Sequence, residues 1–384
     1  MTRQEGTDVA LKLLHTADWH LGLRFPAVER EQEVRLTRAR LEVVGRILDL
    51  ADSRNVDAVL CAGDLFNDPR PEEEWWKGLL KEFQRRSWTR PVILLPGNHD
   101  PLTQNSVYAP RDPFRRGLPA YVYVVDRDDF TLELGTTAVV YATPCRSRAG
   151  QTGLAASLPA REPRDDRLRI GLVHGQTFDL KDHQTTFPIA KNAAIDRGLD
   201  YLAIGDTHSF REVEPDARVP TTYPGAPEAT KFGETDAGHV ALVFFPRDRA
   251  RRALVERASV SVWKWKEVSC GSLEELRQLR ADESLRKTVL RLTLAMRLPL
   301  HEYDEATRIL TELEGSLAAH PKVGVLTTER DRLRLDVTDS SAFTEGLPDV
   351  LQSVVRRLEA KAAVEPEKAE RAIHHLFQLV QEGR

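Results

Sequence analysis

At about 100–200 residues per domain, a chain of 384 residues calls for two or three domains and excludes a single small module. The 55 lysines and arginines against 59 aspartates and glutamates give a net charge of −4, with 30% charged and 41% hydrophobic residues, which excludes wholesale disorder and offers no global basic bias toward nucleic acid. No apolar run approaches the roughly 18 residues of a membrane span, the start MTRQEGTDVA lacks a signal-type apolar stretch, and Cys61, Cys145 and Cys270 form no CxxC pair. The expectation is a cytoplasmic protein without a disulfide framework, a zinc finger or a membrane partner.

In chain order, Leu11–His15 reads as a strand. Val34, Leu41, Val44, Leu48 and Ala51 recur on one face of a helix, and Val56–Cys61 follows as a second strand. Glu72–Phe83 reads as a helix opened by Pro71, and Val92–Leu95 as a third strand. Tyr121–Val125, Thr137–Ala142, Leu168–Val173, Tyr201–Ile204 and Val240–Phe245 are further β-branched or apolar runs. So many strands imply two packed sheets. Beyond about residue 255 the texture changes. Strands at Val260–Val268, with Trp263 and Trp265 on one face, and at Thr288–Met296, Val323–Thr327 and Leu333–Val337 alternate with helices at Ser272–Arg280 and Tyr303–Leu317. Two helices, about Leu347–Lys361 and Glu367–Glu382, flank Val364-Glu365-Pro366. The expected architecture is an α/β fold: a two-sheet β-sandwich flanked by helices over residues 1–255, a small α+β capping domain over 256–340, and a C-terminal helical pair over 341–384.

Chemistry-bearing residues gather where strands end, which is where α/β folds place reactive groups. The first three strands run into Asp18-Trp19-His20, Gly63-Asp64 and Gly97-Asn98-His99-Asp100, and later ones into His174-Gly175 and Gly205-Asp206-Thr207-His208. Singly, each has a duller reading as a turn cap or surface residue; a series of five does not. Oxygen and imidazole donors without thiolate suit a hard or borderline divalent ion: manganese, iron, magnesium or zinc. Alternate residues of an extended chain share a face, so the D-x-H pair should point one way. Two ions about 3.5–4 Å apart need a bridging carboxylate, for which Asp64 is the natural choice, and such a pair activates water for in-line attack on phosphorus. Asn98 would supply a carbonyl oxygen without adding charge.

The order DxH, GD, GNHD, HG and GDxH resembles the calcineurin-like metallophosphoesterases, and HTADWHLG, GDLF and LPGNHD are most similar to the SbcD-type double-strand-break repair nucleases. The likeness is tight over residues 11 to 108 and looser to about 235, where Tyr223 to Glu228, Phe232 and Glu234 are similar to that family's YPGSPEP stretch. The resemblance implies the metallophosphoesterase fold and two divalent ions, manganese above all. One would be held by Asp18, His20, Asp64 and His208, the other by Asp64, Asn98, His174 and Asp206. It also implies that His99 protonates or stabilises the leaving group, oriented by Asp100. The implied activity is metal-dependent DNA phosphodiester hydrolysis, exonucleolytic or endonucleolytic, by a homodimer. An SbcC-like ABC ATPase of the SMC type would bind the C-terminal helices. Two departures stand out: Gly205-Asp206-Thr207-His208 replaces the usual GHxH, and Asn67 follows GDLF where several relatives carry histidine. Alternatives left open are a phosphatase or nucleotide phosphodiesterase of the same superfamily, although the Arg-Gly that protein phosphatases carry after GDxxD is missing, and a DNA-tethering scaffold with an impaired site.

Other features read as structural. His15 is expected to be paired within its strand, and His183, His239, His301, His320, His374 and His375 to be structural or exposed. Trp75 and Trp76 face about 100° apart on a helix, so packing outweighs base stacking. The arginine clusters at 111–116, 146–148, 161–169 and 247–252 are slightly more consistent with solvated loops than with phosphate contacts.

Overall fold

The apolar runs of the first half become strands covered on both faces, which is why they lack polar alternation. A computed structural model describes residues 9–177, 187–314, 325–336, 341–345 and 347–382. The chain divides into two units, Met1–Trp263 and Lys264–Arg384. His183 and His320, the first two residues of the expected strand 323–327 and the last residue of 333–337 lie outside the described residues.

The first unit carries, in order, β1 (Val9–Thr16), α1 (Arg30–Ser53), β2 (Ala58–Cys61), α2 (Glu73–Gln84), β3 (Val92–Leu94), α3 (Pro113–Gly117) and β4 (Val122–Val124). There follow β5 (Phe130–Leu134), β6 (Ala138–Ala142), β7 (Leu168–His174), β8 (Gln176–Thr177), β9 (Pro188–Ile189) and α4 (Ala193–Asp196). The last are β10 (Tyr201–Gly205), β11 (Arg211–Val213), β12 (Thr221–Tyr223), β13 (His239–Pro246) and β14 (Leu254–Ser259). Two six-stranded sheets result, ordered β14-β13-β1-β2-β3-β4 and β11-β12-β10-β7-β6-β5.

Alternation along each strand assigns its side chains to layers. Leu13, Leu60, Ile93 and Val243 meet Val140, Ile170, Leu172 and Ala203 between the sheets. Leu14, Val59, Cys61 and Leu94 face the other way, onto Val43, Val44, Ile47 and Leu48 of α1 and Leu79 and Phe83 of α2. Val139, Val173, Leu202 and Ile204 pack on the far side of the second sheet with Leu154, Leu158 and Ala193. This is a mixed α/β fold with two sheets flanked by helices, as the sequence leads one to expect. β1 to β4 run parallel, as do β6, β7, β10 and β12, so the carboxyl ends within each set share one edge.

Three local expectations fail for physical reasons. Val34 is exposed because the buried stripe of α1 runs instead through Leu36, Arg40, Val43, Val44, Ile47, Leu48 and Ala51. Phe130–Leu134 is an edge strand whose alternating Thr and Glu masked it. Val260–Val268 is not one strand: the Val262 and Trp263 amides donate to the buried Glu228 carboxylate instead of to a sheet neighbour, and Trp263 precedes the next strand.

The second unit comprises β15 (Lys264–Cys270), α5 (Leu273–Ala281), a 3₁₀ turn, β16 (Thr288–Leu298), α6 (Leu300–Glu314), β17 (Val325–Leu335), α7 (Ser341–Thr344), α8 (Asp349–Ala362) and α9 (Pro366–Glu382). Its three strands pair in parallel around β16. The two strands expected at 323–337 are one, since the charged run after Thr328 reads as a turn but is tolerated on an edge strand. Ser272 caps α5 by accepting from the Glu275 amide, 3.3 Å away. The apolar stripe of α9 is partly covered: Ile373 is buried with Leu300 and Leu335, and His374 bonds Asp304 at 3.2 Å. Val350, Val354, Val364 and Leu379 stay exposed. Among the described residues no helix is long and apolar enough to cross a membrane.

Candidate metal centre

The strand-end residues converge. Ligand-capable atoms of Asp18, His20 and His208 lie within 4.8 Å of one another, as do those of His20, Asp64 and His99, and those of Asp18, Asp64 and His174. The Asp64 carboxylate sits between two imidazoles, its Oδ2 being 3.8 Å from His20 Nε2 and 3.5 Å from His174 Nε2. His174 Nε2 also lies 2.8 Å from Asn98 Oδ1 and 3.6 Å from Asp206 Oδ1. The turns are stitched together: the Asp18 and His20 amides donate to the carbonyls of Gly63 and Asp64, and the Asp206 amide donates to the Asp18 carboxylate at 3.1 Å.

Backbone strain marks the same place. Among the described residues, six other than glycine have positive φ, and four of them are Asp18 (55°), His20 (45°), Asp64 (53°) and Asp206 (100°). Such conformations cost on the order of 1–3 kcal/mol each and persist where surrounding structure enforces them. The D-x-H pair therefore does not converge through an extended backbone; both residues turn through the left-handed region. Gly97 is required by space, because a Cβ there would stand 2.2 Å from Asp64 Oδ1.

Each of three histidines has its Nδ1 occupied from behind, which fixes the tautomer and aims Nε2 inward. His174 Nδ1–H donates to the Ala62 carbonyl (2.8 Å), His20 Nδ1–H to Asn67 Oδ1 (3.3 Å), and His208 Nδ1–H to Glu234 Oε1 (2.7 Å). Glu234 is held in turn by the Thr230 amide and hydroxyl, both at 2.6 Å. The outcome is two inward ring nitrogens, His20 Nε2 and His208 Nε2, facing each other at 3.1 Å. That approach is repulsive unless a proton or a cation lies beside it.

The electrostatics agree. Burial, with the charges of Asp64 and Asp206 added, pushes Asp18 up to about 7 against the opposing pull of His208 and His174. Burial would depress His174, but Asp64, Asp206 and Asp18 outweigh it and hold the imidazole well above its ordinary range. Burial likewise opposes the raised His208, where Glu234, Asp18 and Asp64 prevail. For Asp206 burial works upward, yet His174 and Gln176 keep it low. Asp18 and Asp64 are almost fully buried, and among the described residues neither forms an ion pair with lysine or arginine. Buried carboxylates short of cations and inward-facing imidazole nitrogens are the donor set of a divalent-ion site.

One expected role is corrected. Among the described residues no hydrogen bond joins Asp100 to His99: Asp100 Oδ2 accepts from the Phe66 amide (2.9 Å) and the Tyr108 hydroxyl (2.6 Å), and Oδ1 from the Gly97 amide (2.9 Å). Two of the three partners belong to the Gly63 and Gly97 turns, so its carboxylate ties those turns together beneath the site. His99 is exposed, its amide donates to Asp64 Oδ1 at 2.9 Å, and its ring meets His20 edge to face at 4.8 Å. Asn67, read from sequence only as a lost imidazole, orients His20. Glu234 and Asn67 are second partners to ligands, and sequence order gives no signal of which ligand they serve. The arginine clusters are largely paired: Arg161 with Asp200, Arg167 and Arg169 with Asp165, Arg115 with Asp126, Arg146 with Asp128, and Arg252 with Glu212. Trp75 is buried.

Residues 11–210, just over half of the chain, match the family model of calcineurin-like phosphoesterases. The chain belongs to that family. It is 27% identical over 275 residues to the uncharacterized metallophosphoesterase YhaO of Bacillus subtilis (strain 168), covering 67% of this chain and 65% of YhaO. It is 33% identical over 170 residues to the SbcD component of the nuclease SbcCD of Rhodobacter capsulatus, covering 43% and 39% of the two chains. Against the SbcD component of the same nuclease from Escherichia coli (strain K12) identity is 25% over 421 residues, covering 96% and 97%. The match thus spans less than two thirds of YhaO and of the Rhodobacter protein. Metallophosphoesterases bind divalent metals, and the His/Asp cluster is this chain's candidate for such a centre.

Proposed function

We propose that this chain is a two-metal DNA nuclease, the SbcD-like subunit of an SbcC/SbcD-type repair or defence complex. The observation that carries the metal reading is the pair of inward imidazole nitrogens 3.1 Å apart, His20 against His208, with Asp64 shared toward His174. Asp18, His20, Asp64 and His208 would hold one divalent ion, manganese in our reading; Asp64, Asn98, His174 and Asp206 would hold the other. When bound, the ions supply Lewis-acid stabilisation of a phosphodiester oxyanion and a nucleophile from water at neutral pH.

The chain's own groups do the rest. Asn67, Ala62 and Glu234 occupy Nδ1 of three imidazoles and keep Nε2 of each aimed inward. Asp100 and Tyr108 brace the turns that carry Asp64 and Asn98. His99, exposed beside His20, can donate a proton to the leaving oxygen or stabilise its charge. The choice of DNA over other phosphodiesters rests on the likeness to the SbcD nucleases. On the same likeness, the C-terminal helices, with Val350, Val354 and Leu379 exposed, take the coiled coil of an SMC-type ATPase, and the cytoplasmic chain works as a homodimer.

Recombinant protein with manganese, assayed on linear duplex and single-stranded DNA beside p-nitrophenyl and bis-p-nitrophenyl phosphate, tests the reading. DNA cleavage lost in Asp64→Ala and His99→Ala supports it. Wild type inert on DNA with manganese, magnesium or iron and the partner ATPase overturns it, and activity confined to the monoester makes the protein a phosphatase.

A further inference from the structure

The buried face of α1 is apolar apart from Thr37 and, near its centre, Arg40, which lies fully out of solvent between Leu36 and Val43. Among the described residues no carboxylate makes an ion pair with it; Glu228 and Glu234 act on it only through space. A guanidinium buried in this way is costly, and an apolar side chain of similar length would fill the same room at less cost. Its outer nitrogens go to main-chain carbonyls on two different loops: Nη1 donates to Trp19 O at 3.1 Å and Nη2 to Ala229 O at 2.6 Å. Trp19 stands between Asp18 and His20. Ala229 precedes Thr230, which with Glu234 backs His208. Phe25, further along the first loop, presents its ring to the guanidinium at 5.6 Å.

We propose that Arg40 is a positioning residue that clamps the Asp18–His20 loop to the loop supporting His208, setting the approach of the two imidazoles. The proposal rests on the metal-centre reading above. A planar fork with divergent N–H donors can span two carbonyls, whereas a lysine ammonium on a flexible stem reaches one of them.

Full-length wild type, Arg40→Met and Arg40→Lys are titrated calorimetrically with manganese chloride, their folding checked by thermal melts. Methionine should weaken binding about 10–100-fold, the range for losing a group that orients a metal ligand, and lysine should recover only part. A purely structural role would lower the melting temperature and leave the dissociation constant of the folded protein unchanged, which overturns the proposal. If Arg40→Met does not fold, folded Arg40→Lys decides: at least threefold weaker binding supports the clamp, and wild-type binding overturns it. Wild type that takes up no manganese overturns the metal reading instead. In that case ¹⁵N-histidine spectra of the metal-free chains decide on the clamp. Joint shifts of His20 and His208, with His15 unmoved, support it, and unchanged spectra refute it.

Discussion

Exchanging Glu234 for glutamine should cost about tenfold in manganese affinity, and exchanging it for alanine up to about a hundredfold. The carboxylate accepts from His208 Nδ1 at 2.7 Å, and although burial opposes ionisation, His208 and Thr230 hold it down to about 2, so it is charged at any working pH. A hydrogen bond to a charged group contributes about 1.5–3 kcal/mol and a neutral one about 0.5–1.5. Glutamine keeps an acceptor, hence the tautomer, and forfeits the difference of roughly 1.4 kcal/mol, which is one decade in a binding constant. Alanine also releases the ring and the Thr230 turn, bringing the loss to the upper end for outer partners of metal ligands. Calorimetric titration of both variants and wild type, with melts to verify folding, reads the series. Affinities within twofold of wild type for both variants would show that Glu234 does not orient a ligand. Equal losses in the two would show that only the charge matters and that the shape and acceptor kept by glutamine contribute nothing.

Metal affinity should also fall as pH drops through about 7, because protons compete at Asp18, whose folded value lies near there, and at the raised His174 and His208. Titrations at pH 8 and pH 6 in buffers of different ionisation heat should reveal proton release at the lower pH, and pH-independent binding would contradict this. Gly97→Ala should abolish metal uptake, since its Cβ would stand 2.2 Å from Asp64 Oδ1 and 2.4 Å from Asp64 N, and it should cost about 1–3 kcal/mol of stability in a melt. His15 is buried, bonds the Tyr201 hydroxyl at 2.9 Å and is pushed by burial from 6.5 down to about 3. Between those values the unfolded chain holds a proton that the folded chain does not, so stability falls as pH drops from 6.5 toward 3. His15→Gln should remove about 2–3 kcal/mol of that loss between pH 6.5 and 4.5, measured by urea unfolding, and parallel pH profiles would refute the assignment.

Much of the candidate site was legible because its residues follow apolar strands almost directly, so chain order alone brings Asp18, Asp64, Asn98, His174 and His208 to the carboxyl ends of parallel strands. The layering was legible for the same reason: parallel strands buried on both faces advertise themselves as unbroken apolar runs. What escaped depends on contacts between distant residues. Nothing near Glu234 in the chain says that it backs His208, and nothing near Asp100 says that it faces Tyr108 rather than His99. Arg40 reads as a surface helix residue because arginine is seldom buried. The left-handed turns at Asp18 and His20 were invisible because aspartate and histidine signal such conformations far more weakly than glycine does. The strand Phe130–Leu134 was lost because an edge position asks little of composition.

Because Asp18, His20, Asp64 and Asn98 hang from one sheet while His174, Asp206 and His208 hang from the other, the cluster works as a gauge of how the sheets are registered. The apolar slab between them, filled by Leu13, Leu60, Leu172 and Val243, is the spacer that sets this alignment. A repacking there that slides one sheet by about 1 Å would disturb the proposed metal centre from well inside the protein with every side chain of the cluster still present, since misplacement on that scale can cost about a hundredfold in rate.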